Sequence, residues 1–224
     1  MKKILVASLI LSSAINFAFA QKDVEAKKIL NAVSQKYKSY SMIKADFTFL
    51  LDDPMAKIKD TQSGTLVTQP KLNKFKVTIY DPTNKTAVAQ EIISDGKSQW
   101  TYAVKDKEAE LNDVDQSEDN LNPAQIFAVY EHGYKYVYNG EETVNGKTYQ
   151  VIDLSPEDAK KPFFKVRLSI DKAKKLIHSA EIFDKNGSRY TYTINTLTPN
   201  PKLPENIFTF DKKTHPGVEV VDLR

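Results

Sequence analysis

The three histidines, His132, His178 and His215, are the side chains best suited to proton transfer or zinc ligation near neutral pH, and they stand far apart in the 224-residue chain. None belongs to an H-E-x-x-H or H-x-x-E-H pattern, so no catalytic metal centre is expected and no metal ligand is assigned. There is no G-x-S-x-G elbow, no phosphate loop and no G-x-G-x-x-G, and no cofactor is expected. A Ser-His-Asp triad needs only to meet in space, and nothing in the order of residues favours one. Seven acids lie between Asp106 and Asp119 without the glycine and ligand spacing of a calcium loop. With no cysteine, thiol catalysis, disulfides, zinc–thiolate sites and a lipid-modified N-terminal cysteine are all excluded. The expectation is a protein that binds and performs no catalysis.

The elements that must position a binding surface are legible from periodicity. Lys2 and Lys3, the apolar run Ile4 to Phe17 and Ala18-Phe19-Ala20 have the order of an export signal, so residues 1–20 are expected to be removed, leaving Gln21 first. Cleavage takes away two lysines and no acid, which leaves 30 basic against 29 acidic residues. That near-neutral balance argues against a nucleic-acid partner. Residues 21–224 are expected to form a single domain.

Ala26, Ile29, Leu30, Val33 and Tyr37 recur at helical spacing, and Asp23 suits its N-cap, so a helix is expected from Asp23 to about Tyr37. The period then becomes two. Ile43, Ala45, Phe47, Phe49 and Leu51 alternate with polar residues, as do Phe75, Val77 and Ile79, and Trp100, Tyr102 and Val104. Further rows are Tyr134, Tyr136 and Tyr138; Phe164, Val166, Leu168 and Ile170; and Tyr190, Tyr192 and Ile194. Asp95-Gly96, Asn139-Gly140, Asn145-Gly146 and Asn186-Gly187 read as turns, the last two as tight hairpins. About ten antiparallel strands are expected. Lys105 to Asn120 reads as a polar, acidic loop, and Leu121 to about His132, opened by Pro123, as a second helix. A long antiparallel sheet curls, and helices over its concave face can leave an apolar cavity. Ordinary core packing of the aromatic rows is the competing reading.

Four segments resemble the periplasmic lipoprotein carrier family LolA. They are Ser41-Met42-Ile43-Lys44-Ala45-Asp46-Phe47-Thr48; Gly64-Thr65-Leu66 with Pro70 and Phe75; Ser94-Asp95-Gly96-Lys97-Ser98-Gln99-Trp100-Thr101-Tyr102; and Phe208-Thr209-Phe210 with Pro216-Gly217-Val218-Glu219-Val220-Val221-Asp222. The resemblance implies an α+β, mainly β fold: an incomplete antiparallel β-barrel closed by a lid of helices over an apolar cavity for acyl chains. It implies a monomeric, non-enzymatic periplasmic carrier that takes lipoproteins from an inner-membrane ABC-type release complex and passes them to an outer-membrane acceptor.

On that resemblance the expected cavity lining is Phe47, Phe75, Val77, Trp100 and Tyr102 from the sheet, with Val33, Tyr37, Ile126 and Phe127 from the helices. Gln69 stands where the resemblance places an arginine that latches the lid, and an amide has fewer donors and no charge. The rival readings are a carrier of another lipid, a lipoprotein-sensing regulator on the same fold, and a lipid hydrolase.

Overall fold

The computed structural model describes residues 24–114, 125–127 and 130–224. The expected leader, the Asp23 cap and much of the Leu121–His132 segment lie outside the described residues. Helix α1 (24–38) buries one stripe, Ala26, Ile29, Leu30, Val33 and Tyr37, while Glu25, Lys27, Lys28, Lys36 and Lys38 face water. Twelve strands follow: β1 (Ile43–Asp53), β2 (Ile58–Gln69), β3 (Lys74–Tyr80), β4 (Val88–Asp95), β5 (Ser98–Ala103), β6 (Glu108–Asp113), β7 (Tyr134–Val144), β8 (Lys147–Pro156), β9 (Phe163–Asp171), β10 (Leu176–Asp184), β11 (Arg189–Pro199) and β12 (Glu219–Asp222).

They form one curved, unclosed sheet in the order β12-β6-β5-β4-β3-β2-β1-β11-β10-β9-β8-β7. Every pairing is antiparallel except β12 on β6. The mainly β, incomplete-barrel expectation holds. The register puts Ala45, Phe47, Leu66, Val77, Leu154, Leu168 and Ala180 on one face, where α1 packs. Burying each large side chain of that face contributes about 1.5–3 kcal/mol.

Several sequence expectations change. The acidic loop contains a strand: Glu108–Asp113 alternates exposed acids with buried Ala109 and Leu111, between β5 and β12. Its period-two signal is short and flanked by charge, which is why it reads as loop. In the expected second helix, Gln125–Phe127 is a single 3-10 turn, and residues 130–133 are turn and bend. Asn139-Gly140 is no hairpin turn. It lies inside β7 at a register shift, with Gly140 at φ 102°, so the positive-φ glycine serves a bulge. Asn145-Gly146 does make the tight two-residue turn, with both φ positive. Asn186-Gly187 instead sits in a four-residue connection from β10 to β11. A second register shift, between Phe183 and Asp184, buries Phe163 and leaves Phe164 52% exposed, reversing the parity expected at the start of β9.

The signature segments have visible structural work. Phe47 stands opposite Gly64, and a Cβ on Gly64 would lie 2.6 Å from both Phe47 Cζ and the Thr78 carbonyl oxygen. The ring therefore lies flat against bare backbone. At the Ser-Asp-Gly-Lys turn, Gly96 takes φ 94°, its N–H donates to Ser94 Oγ, and Asp95 accepts from the N–H groups of Lys97 and Ser98.

Gly64→Ala is expected to lower stability by about 1–3 kcal/mol, because a backbone oxygen cannot swing aside and the overpacking outweighs the gain from a stiffer unfolded chain. The urea midpoint of the variant against wild type checks this.

Candidate functional site

The concave face divides into a covered and an uncovered part. Under α1 the side chains are fully packed. Val33 and Val77 are completely buried and Phe47, Ile126 and Phe127 nearly so, all in one cluster with Tyr37 and Phe75. The structure thus brings together seven of the nine expected lining residues. It does not bring Trp100 and Tyr102 to them. On the alternation of β5 these two share the opposite, convex face with Ile93, Lys76 and Val67. There they meet the chain's C-terminal segment: Trp100 stacks on Phe210 at 6.5 Å, and Tyr102 meets His215 edge-on at 4.7 Å.

Beyond α1, toward the β1–β2 hairpin, the concave face carries a set of half-buried apolar side chains. Phe49, Ile79, Ile92, Tyr190, Tyr192 and Ile194 flank the packed cluster. Phe49 contacts Tyr192 at 4.8 Å and Tyr190 at 6.2 Å between ring centroids, and Phe47 contacts Tyr192 at 6.2 Å. Burial pushes the Tyr192 hydroxyl up to about 12, with Tyr190 adding to the shift, so it stays neutral. Such a surface offers van der Waals contact and weak polar anchoring, which suits alkyl chains. The rows containing Phe49 and Tyr190/Tyr192 are visible in the sequence, but only the pairing of β1 with β11 shows that they form one patch.

What ties α1 down is also clear. The Tyr37 hydroxyl accepts a hydrogen bond from the Ile177 N–H at 2.9 Å, at the irregular start of β10. Burial drives this phenol far above its ordinary range, and the Ile177 bond offsets only part of that. Ser34 Oγ donates to Glu131 at 2.6 Å, and Lys38 pairs with the same carboxylate at 2.9 Å. Burial alone would raise Glu131; Ser34 and Lys38 reverse this and hold it below the usual carboxylate range. Beside the Glu131 anchor lies a hollow of about 360 Å³ lined by Lys27, Asn31, Tyr130, His132 and Tyr136 among others. Gln69 takes no part. On the alternation of β2 it falls with Val67, which packs against Phe208, and away from Leu66 and Thr68.

The histidines have separate settings. His178 stacks on Tyr149 at 4.7 Å, and its burial disfavours the charged form. His215 fastens the C-terminal segment. It stacks on Phe210, its Nδ1 lies 2.8 Å from the Asp211 carbonyl oxygen, and its Nε2 lies 3.0 Å from Glu91, which also binds Lys76 at 2.7 Å. Burial opposes the Glu91 charge, but the bonds from Lys76 and His215 prevail and hold its carboxyl below the ordinary range. No group of three potential metal ligands occurs among the described residues.

Residues 38–211 match the protein family described as outer membrane lipoprotein carrier protein LolA. An outer-membrane lipoprotein carrier protein from Legionella pneumophila (strain Corby) is 26% identical over 89% of this chain and 92% of its own length. One from Pasteurella multocida (strain Pm70) is 25% identical over 86% of each chain. Among solved structures, an uncharacterised conserved protein from Thermus thermophilus superposes with a TM-score of 0.60 at 12% identity, covering 88% of this chain and 99% of that one. That likeness concerns the fold alone.

Two outcomes follow from the anchors. Tyr37→Phe leaves the Ile177 N–H unpaired and is expected to cost about 1–3 kcal/mol, read from urea unfolding. Because Glu91 is depressed in the folded state, its contribution is present above the ordinary glutamate range and lost as pH falls through its folded pKa. In thermal melts across acid pH, Glu91→Gln is therefore expected to be less stable near neutrality and to lose less on acidification than wild type.

Proposed function

The chain belongs to the LolA family of outer membrane lipoprotein carrier proteins, and from that membership we propose that it is a periplasmic, non-enzymatic carrier of lipoproteins. It is exported through a signal peptide, residues 1–20, that is then removed, and it holds acyl chains against the concave face of its sheet. It accepts its cargo from an ABC-type release complex in the inner membrane and hands it to an acceptor at the outer membrane.

The observation that carries this reading is the patch of Phe49, Ile79, Ile92, Tyr190, Tyr192 and Ile194, half-buried beside the packed core. An exposed acyl chain costs roughly 0.8 kcal/mol per CH₂ in water, so a carrier needs apolar wall and little else. The patch provides the first wall. The deeper residues Val33, Tyr37, Phe47, Phe75, Val77, Ile126 and Phe127 become further wall when α1 lifts. Lifting α1 breaks the Tyr37–Ile177 bond and the pairing of Ser34 and Lys38 with Glu131, a limited polar cost, while cargo contacts replace the apolar contacts of its buried stripe. Transfer onward needs only an acceptor of higher affinity.

The test is release from spheroplasts carrying newly labelled lipoproteins, with the mature protein (residues 21–224) added outside. Label is expected to leave the membrane in a soluble complex of one carrier to one lipoprotein. Phe49→Ser is expected to yield at least about ten-fold less complex while keeping its unfolding free energy within about 1 kcal/mol of wild type. Retention of all label on the spheroplasts, while the protein still binds a free glycolipid or fatty acid, would replace lipoprotein by another lipid as the cargo.

A further inference from the structure

Of the large apolar side chains exposed among the described residues, three gather at one end of the sheet: Met55 at 83%, Phe164 at 52% and Ile58 at 49%. They arrive there from different parts of the chain. Met55 sits at the tip of the β1–β2 hairpin, whose turn is held by Asp53 accepting from the N–H groups of Met55 and Ala56. The same Asp53 accepts from Ser188 Oγ at 3.1 Å, which ties the hairpin to the β10–β11 turn, and a Cβ on Gly187 would stand 4.0 Å from Met55 Cγ. That turn is fastened in its own right to the segment leading into β9, through Lys185 N–H to the Pro162 carbonyl and Lys185 Nζ to the Ala159 carbonyl. Phe164 then packs against Phe183 with ring centroids 6.1 Å apart. Met55 is thus held out by a short, hydrogen-bonded turn, while Ile58 and Phe164 stand at the starts of β2 and β9.

Most charges at this rim, of both signs, are held by local partners. Asp53, Asp158 and Asp184 are turned onto backbone N–H groups, Asp60 accepts from Gln62, and Asp52 lies 3.8 Å from Lys59. Glu157 lies farther round, beside Gly133 at the β7–β8 edge. Lys57 is at the exposed tip, while Lys165 and Arg189 lie over the Phe183 ring at 3.8 and 5.6 Å. Apolar side chains bordered by cations, Lys57 and Arg189 exposed and Lys165 half-buried on the Phe183 ring, match the interface of an anionic bilayer, where the apolar groups enter the headgroup boundary and the exposed cations meet phosphate.

The rim is also continuous with the apolar patch of the concave face. Along β1 the row Phe47, Phe49, Leu51 runs toward the hairpin, and on β2 the alternation puts Ile58 on the same concave side. Resting on the carrier reading, we propose that the β1–β2 hairpin and the β10–β11 turn dock on an anionic phospholipid surface, so that acyl chains pass between bilayer and trough at this end. Leu72, 57% exposed, lies at the opposite end of the sheet and takes no part.

The experiment is co-sedimentation of the mature protein with vesicles of phosphatidylethanolamine and phosphatidylglycerol, at low and high salt. Wild type is expected to sediment and to be released by salt. Met55→Asp combined with Phe164→Ser is expected to weaken vesicle binding at least ten-fold, and Leu72→Ser to leave it unchanged, all with unaltered urea midpoints. Wild type that stays in solution, including one that binds only a membrane protein, overturns the proposal, as does a double variant that binds like wild type. The spheroplast release assay on the same proteins separates the two ideas. Complex formation by wild type with no rim effect on vesicles sinks the docking surface and keeps the carrier, whereas vesicle binding without any lipoprotein complex sinks the carrier.

Discussion

The apolar concave face of the sheet has to be covered, because a twelve-stranded sheet that does not close on itself leaves one whole side without a partner. Among the described residues, helix α1 with its single apolar stripe and the Gln125–Phe127 turn cover it, and this cover is narrower than the trough. Packing is therefore dense under Val33 and Tyr37 and incomplete at Phe49, Tyr190 and Tyr192. That shortfall is what a binding surface requires. A second full layer would make the protein more stable and leave nothing for a ligand to touch.

How the helix is held follows the same logic. Its buried stripe supplies most of the attachment, and its polar ties are few: one phenol on a backbone N–H, and one carboxylate shared by a serine and a lysine. Polar ties of this kind contribute modestly to stability but strictly set position.

The convex side is built for permanence. Strand β11 ends near the middle of the sheet and β12 lies at its edge, so residues 200–218 must cross the outer face to connect them. Phe208 packs on Met42 and Val67, and Phe210 and His215 close over Trp100 and Tyr102, with Glu91 joining Lys76 to His215 beneath. Both faces of β2–β5 are thus apolar, one packed under the helix and one under the C-terminal segment. This is why aromatic alternation on β5 does not identify the cavity side.

The sequence by itself determined the local elements: the α1 stripe, the alternation of β1, the Asn145-Gly146 turn, and a mainly β chain without an evident catalytic constellation. These are short-range consequences of side-chain period and turn stereochemistry, and the four signature segments added the family. Only the tertiary structure decided which face each row serves. The period of a strand distinguishes two sides but carries no label for either, and it is the C-terminal segment packed on Trp100 and Tyr102 that assigns them to the convex side. The bulges at Gly140 and at Phe183 likewise flip parity within a strand, burying Phe163 and exposing Phe164, through pairing with distant partners. Gln69 was placed by the same rule, on the side away from the helix, and the anchor fell to Tyr37, whose partner is 140 residues away in the chain.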